Sequence, residues 1–299
     1  MKQSCPIKIY VISIVAIILW GLSYIWSDRL IQLGVAVEYF VFVRVLCAGL
    51  ILLLFNLLTR RRIRIRRKDL TRFLLLSFCE PLIYFICETY GIDLTESATY
   101  SALVIASTPI VAVSAGIVLF KEKMRLVNFI GIAVCLAGLV LVTVCADSIG
   151  EHFVWGLILL IVAVFAEVGH ASFTKSLSND YQPLVIVMWQ FLIGAAYLFP
   201  LFLARGLREY EPALYLSWDV WRPIFCLAVL CSAAAFSLWV TSIKYLGVGR
   251  SSVFQAMIPV VTALVGFILG TEILCWNQWA GIAIAMTGVV MTQLGQRVR

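Results

Sequence analysis

Residues 101–143 read SALVIASTPIVAVSAGIVLFKEKMRLVNFIGIAVCLAGLVLVT, and residues 251–293 read SSVFQAMIPVVTALVGFILGTEILCWNQWAGIAIAMTGVVMTQ. At a shift of 150 the two stretches align without a gap and agree at 12 of 43 positions. The matches include Pro109/Pro259, Gly116/Gly266, Leu119/Leu269, Glu122/Glu272, Gly131/Gly281 and Gly138/Gly288. Apolar helices coincide at several positions through composition alone, but a proline, three glycines and a hairpin glutamate in register are hard to obtain that way. The chain therefore reads as two homologous halves, 1–147 and 148–299.

Each stretch is a pair of apolar runs joined by a short polar hairpin, and the rest of the 299 residues follows suit. Hydrophobic residues make up 63% and charged residues 13% of the chain, with a mean hydropathy of +1.02. An ordinary soluble domain is about 25% charged, so a soluble globular protein is excluded. A bilayer core takes about 20 apolar residues per helical crossing. Runs bounded by charge or by Gly, Pro and Asn place ten spans near 7–27, 38–58, 71–91, 98–120, 126–145, 153–174, 183–204, 223–243, 251–270 and 276–295. The fold class is an all-α polytopic membrane protein of ten transmembrane helices, with no room for a soluble module. Five spans per half is an odd number, so the two halves enter the membrane from opposite sides and are inverted repeats. Inverted repeats give one sequence two nearly equivalent packings, the geometric basis of alternating access.

Charge sets the orientation. With both termini in the cytoplasm, 18 of the 23 Lys and Arg fall at inner ends of spans; Arg29, Arg205, Arg208 and Arg222 fall outside and Arg44 within a span. Basic residues in short loops resist translocation, which predicts a multi-pass protein of the cell inner (plasma) membrane. Seven of the nine residues from Arg60 to Lys68 are basic, with no interleaved aromatics for base stacking. That run reads as a topology determinant that attracts anionic lipid headgroups, and no nucleic-acid partner is expected. The nine cysteines form no CxxC pair and none has a His at metal-ligand spacing, so no metal or cofactor is expected. The first 27 residues lack a small-residue cleavage site and read as a retained first span.

Ionisable groups inside spans cost about 2.5–3.5 kcal/mol each at a helix centre, so each calls for a cavity or a partner. Glu167 is near mid-span, with His170 at i+3 on nearly the same face. Such a desolvated carboxylate can exchange a proton for substrate, or it can be a structural group bonded to a neighbouring helix. Glu80 immediately precedes Pro81, which removes a backbone donor; the pair makes either a broken helix at a binding site or a locally bonded kink. Arg44 and Glu88 have similar depth and read as an ion pair, either an external latch or a static packing pair. Trp20 and Tyr24, one turn apart, with Tyr84, Trp189 and Trp239, are candidates for an aromatic cavity wall or for packing. Pro109 and Pro259 read as kinks near the middle of spans 4 and 9. Ala112-x-x-x-Gly116 reads as close packing within the monomer rather than a dimer interface, which leaves a monomer or a weak homodimer.

Trp20-Gly21, Arg44, and the run Ala106-x-x-Pro109 to Glu122, Gly131 and Gly138, repeated as Ala256-x-x-Pro259 to Glu272, Gly281 and Gly288, resemble the drug/metabolite transporter superfamily in its ten-helix EamA branch. The resemblance covers essentially the whole chain. It implies a central cavity lined by spans 1, 3, 4, 6, 8 and 9, spans 5 and 10 at the periphery, and efflux of small organic metabolites. Arg29 lies later than the Lys often found after the family's Trp-Gly and takes no role from it. A second resemblance, of Ala163-x-x-Ala166-Glu167-Val168 and Lys175, is to the first helix of the small multidrug resistance proteins, whose equivalent Glu takes up protons or cationic substrate. At an offset of 146 the counterpart of Glu167 is Gly21, so that pair of carboxylates is here reduced to one.

The function expected is a secondary transporter exporting small metabolites, amino acids or amphipathic compounds by alternating access, with protons as possible coupling ions. An uncoupled facilitator is the alternative, and an intramembrane enzyme acting on a lipid-linked substrate a further one. The chain has no HExxH, no paired-aspartate metal motif and no Ser/His pairing, and its only histidines are His152 and His170. No enzyme is therefore expected.

Overall fold

The computed structural model describes residues 6–108, 110–111, 126–144, 152–208, 212–247, 251, 254–255, 257–271 and 274–294. Pro109, Glu122, Glu272, Gly116 and Ala112 lie outside the described residues. No strand occurs among the described residues. The helices are α1 (Pro6–Gln32), α2 (Val37–Leu58), α3 (Leu70–Ser77), α4 (Tyr84–Thr95), α5 (Ala98–Ile105), α6 (Leu126–Val144), α7 (Phe153–Ser178), α8 (Pro183–Leu201), α9 (Pro212–Tyr215), α10 (Trp218–Cys226), α11 (Ala235–Leu246), α12 (Ile258–Leu269) and α13 (Trp276–Leu294). Six described helical runs are long and apolar enough to cross a membrane: Ile7–Gln32, Val37–Leu58, Arg67–Thr95, Phe153–Ser178, Pro183–Gly206 and Trp218–Leu246. Ile130–Val142 and Ile258–Leu269 are shorter apolar helices.

The first helix runs five residues past its expected end, to Gln32, because Gln32 Nε2 donates to Asp28 Oδ2 at 2.7 Å one turn back. It stops at Gly34, whose φ of 78° suits a glycine, with Gly34 N donating to Ile31 O and Val35 N to Leu30 O. That double bond pattern closes a helix on a left-handed residue, where a Cβ is strained.

Wide-turn stretches interrupt the third span of each half. Phe78–Ile83 joins α3 to α4, and Leu227–Ala234 joins α10 to α11. In the first, Glu80 is extended (φ −146°, ψ 121°), as expected for a residue whose helical conformation is blocked by a following proline ring. The Pro81 ring sits in a notch on α8, where a side chain at Gly194 would collide with it. In the second, the Cys231 carbonyl accepts the Trp20 indole N–H at 3.3 Å, one use of a backbone group that a regular helix would bond internally.

The repeat is visible in the packing. α6 and α13 are equivalent helices of the two halves and form an extensive pair. A Cβ on Gly138 would meet the backbone of Ala285 and Gly281; a Cβ on Gly288 would meet the backbone of Cys135 and Gly131. A shift of 150 turns the first set of contacts into the second, which is the signature of a twofold axis. The paired positions run in opposite senses, Val142 with Gly281 and Gly131 with Gly288. The equivalent helices are therefore antiparallel, the axis lies across them, and the repeats are inverted. α1 packs on α12 as α7 packs on α5, a second exchanged pair. Leu136, Val140, Ile284 and Val290 are exposed on the outer faces of α6 and α13, as apolar side chains facing lipid would be.

Pro259 lies in the first turn of α12 rather than mid-helix. There its missing N–H removes no helical bond, and Met257, a turn residue, parts α12 from helical Phe254 and Gln255 within the ninth expected span.

Candidate functional site

A narrow cavity of about 20 Å³ lies between the halves. α1 contributes Trp20, Ser23 and Tyr24; α2 contributes Arg44; the interrupted third span contributes Glu80, Tyr84, Phe85 and Glu88. From the second half come Glu167 on α7, Phe236 on α11, and Gln255 with Ile258 at the start of α12. Ile105 and Gln255, equivalent at the 150-residue shift, both line it.

One wall is aromatic. The Trp20 ring lies 5.0 Å from Phe236 and 5.2 Å from Trp239, and Phe236 lies 5.9 Å from Phe85. These are the tilted and edge-on arrangements that aromatic rings prefer. Trp239 backs Trp20 without reaching the cavity. Trp189 is away from it, its indole N–H donating to the Ile63 carbonyl at 2.7 Å. It ties α8 to the basic segment between α2 and α3 and does not line this cavity.

The acidic side of the cavity converges on His170, which is fully buried. Its Nδ1 lies 2.8 Å from Glu80 Oε2 and 3.5 Å from Glu167 Oε2. Its Nε2 lies 3.2 Å from Thr174 Oγ1 and 3.4 Å from Gln190 Oε1. Glu167 is steadied by Gln255, whose Nε2 donates to Oε1 at 3.1 Å. The extended backbone at Glu80 carries its carboxylate to a histidine on another helix, so the Glu80-Pro81 break builds part of the site. With Nε2–H directed at the Gln190 carbonyl oxygen, a neutral imidazole would turn its Nδ1 lone pair on a carboxylate oxygen. In that tautomer a cation, a proton or a metal ion, must lie between the two; in the other, Nδ1–H donates to Glu80 and Nε2 accepts the Thr174 hydroxyl.

Arg44 and Glu88 line the same cavity but form no ion pair. The Arg44 guanidinium carbon lies over the Phe85 ring, 4.0 Å from its centroid, and Nε donates to Ser232 Oγ at 3.1 Å. Its Nη1 is buried without a hydrogen-bond partner. Glu88 instead accepts the Tyr84 hydroxyl at 2.9 Å, and Tyr84 lies 3.5 Å from the Tyr24 hydroxyl. The expected ion pair between these two residues, latch or static packing pair, is thus replaced by separate contacts, because the aromatic face and Ser232 take the guanidinium.

Gln255, Gln190, Thr174 and Ser232 belong to the site and were not singled out from the sequence. Amides and hydroxyls are common in helices, and only their contacts mark them. Gly21 explains the missing second carboxylate: a Cβ there would fall 2.5 Å from Val261, and Thr262 donates to the Gly21 carbonyl at 3.1 Å. Where one half carries Glu167, the other uses a glycine to let α12 approach.

The profile of the EamA-like transporter family matches residues 7–144 and again residues 154–294. The chain belongs to the EamA-like transporter family. It is a membrane-embedded, multi-pass transporter. This EamA-like transporter is similar to the uncharacterized transporter YetK of Bacillus subtilis, 24% identical over 235 residues that span 77% of this chain and 70% of that protein. It is also similar to a probable amino-acid metabolite efflux pump of Salmonella typhimurium, 24% identical over 232 residues, or 76% of each chain. A solved crystal structure superposes with a TM-score of 0.70 over 96% of each chain at 15% identity, a likeness of fold alone.

Proposed function

We propose that this EamA-like transporter exports small metabolites bearing an amine, amino acids among them, by alternating access in exchange for protons. It works in the cell inner membrane with both termini cytoplasmic, its halves 1–147 and 148–299 rocking about the cavity, and it performs no covalent chemistry. The observation that carries the reading is the convergence of Glu80, Glu167 and His170 on one fully buried point beside an aromatic-lined cavity between the halves. Two carboxylates in a low-dielectric interior are held at low cost only when neutralised. A proton does this in the empty state, and a substrate ammonium at Glu167 does it when bound. Making the two alternatives is what couples their movements. Arg44, with a buried Nη1 turned to no partner, is placed to receive a substrate carboxylate, and bidentate carboxylate recognition is what a guanidinium does best. The efflux-pump relative supports the same substrate class.

Counterflow in proteoliposomes tests the substrate. Preloaded unlabelled amino acid should draw labelled amino acid in, while an uncharged isostere without an amine should not. Equal exchange of both, or no exchange of any amine-bearing compound, would overturn the substrate assignment.

A further inference from the structure

Glu80, Glu167 and His170 each offer one ligand atom, and these atoms all lie within 4.8 Å of one another. A tetrahedral ion with bonds of about 2.1 Å holds adjacent ligand atoms about 3.4 Å apart. The two carboxylate oxygens stand 2.8 and 3.5 Å from His170 Nδ1, so small side-chain movements suffice. A second observation concerns what else these atoms meet. Glu80 Oε2 and His170 Nδ1 are both buried and, apart from facing each other at 2.8 Å and Glu167 at 3.5 Å from Nδ1, have no further hydrogen-bond partner. Among the described residues, no Lys or Arg comes within ion-pair distance of either carboxylate.

The surroundings are those of a ligand-holding site. Thr174 and Gln190 face Nε2, the Nδ1 lone pair turns inward when Nε2–H donates to the Gln190 carbonyl oxygen, and Gln255 anchors the far oxygen of Glu167. Such outer contacts fix tautomer and orientation in metal sites. One nitrogen and two oxygens suit borderline divalent ions; Ca²⁺ and Mg²⁺ favour larger all-oxygen shells. We infer that Glu80, Glu167 and His170 bind a divalent transition-metal cation of the Zn²⁺ class at the centre of the bundle. The ion takes the place that a proton otherwise holds. Binding does not depend on proton-coupled export: the ligands are present whether or not transport is coupled, and the readouts below involve no transport.

The test uses the full-length protein in detergent, with its affinity tag removed and stripped by a chelator, titrated with Co²⁺ and then Zn²⁺. One equivalent of Co²⁺ should bind with the visible absorption of a low-coordinate N/O site and be displaced by Zn²⁺. E80Q and H170Q should lose it, Q190L should weaken it about 10- to 100-fold, and H152Q, at the exposed start of α7, should leave it unchanged. No saturable Co²⁺ binding by the wild type, or binding that survives in E80Q and H170Q, overturns the inference. Should those variants fail to fold, X-ray absorption of the Zn²⁺-loaded wild type decides. A shell of nitrogen and oxygen upholds it, and a sulfur ligand, such as the neighbouring Cys79, overturns it.

Discussion

The twofold crossing of α6 and α13 gives a prediction whose size follows from geometry. In G138A the new Cβ would stand 2.6 Å from the Gly281 carbonyl and 2.7 Å from Ala285 Cα; in G288A it would stand 2.6 Å from the Gly131 carbonyl and 2.7 Å from Cys135 Cα. Both obstacles are backbone and cannot rotate aside, so the helices must part by roughly 1 Å, and overpacking of this kind costs about 1–3 kcal/mol. Alanine recovers at most about 1 kcal/mol of helix propensity. Overpacking wins, leaving a net loss of about 1–2 kcal/mol for either variant. Because one separation makes room for both methyls, the double variant should lose less than the sum. G169A is the control: its Cβ would meet chiefly the Cys79 Sγ at 2.9 Å, a side-chain end that can move. Unfolding of purified protein by SDS in mixed micelles reads all four. If G138A and G288A are as stable as wild type, or differ from each other by more than about 1 kcal/mol, the symmetric close crossing is wrong.

Further outcomes follow from single contacts. W189F removes the bond to the Ile63 carbonyl, so stability should fall by about 1 kcal/mol while the substrate KM is unchanged; a raised KM would return Trp189 to the cavity. D69N removes an acceptor that takes Tyr181 Oη–H at 2.9 Å and Arg66 at 2.9 Å. Its loss should cost about 1.5–3 kcal/mol in the same unfolding assay. High salt should reproduce little of that cost in wild type, because the carboxylate is buried and keeps its bond from Tyr181, although the arginines are half exposed. R44K keeps the charge but loses the planar donor pair, so KM should rise at least about tenfold for substrates with a carboxylate and stay unchanged for simple amines; equal effects on both would dissociate Arg44 from substrate.

How much of this was legible without coordinates differs from residue to residue. Gly131, Gly138, Gly281 and Gly288 announced the repeat because only a glycine lets two backbones touch, and they stand at the crossing. Glu80-Pro81 announced a break because a proline disturbs the residue before it through local sterics. Such effects act along the chain and can be read there. The partnership of Glu80 with His170 joins two separate spans, and no spacing encodes it; Glu167 and His170, four residues inclusive on one helix, were legible as a pair. Arg44 and Glu88 matched in depth but not in direction, since Phe85 and Ser232 capture the guanidinium, and depth alone says nothing of azimuth. Trp189 failed as a wall residue for the same reason: an indole on an apolar helix gives no sign of which neighbour it meets. Pro259 was read as a kink near the middle of span 9, and α12 begins beside it at Ile258, after a turn residue at Met257 that follows helical Phe254 and Gln255.

Proton movement driven by substrate is the measurement that bears most directly on the proposed coupling. Wild type, E80Q and E167Q are reconstituted in liposomes holding a trapped pH dye, and one amino acid that passes the counterflow test is added outside. Substrate should move protons in the opposite direction in wild type. Both variants should still perform counterflow, or in E167Q a weakened one, but move no protons. Proton movement of wild-type size in E80Q and E167Q, or counterflow by wild type with no proton movement at any substrate concentration, would contradict coupling at this site.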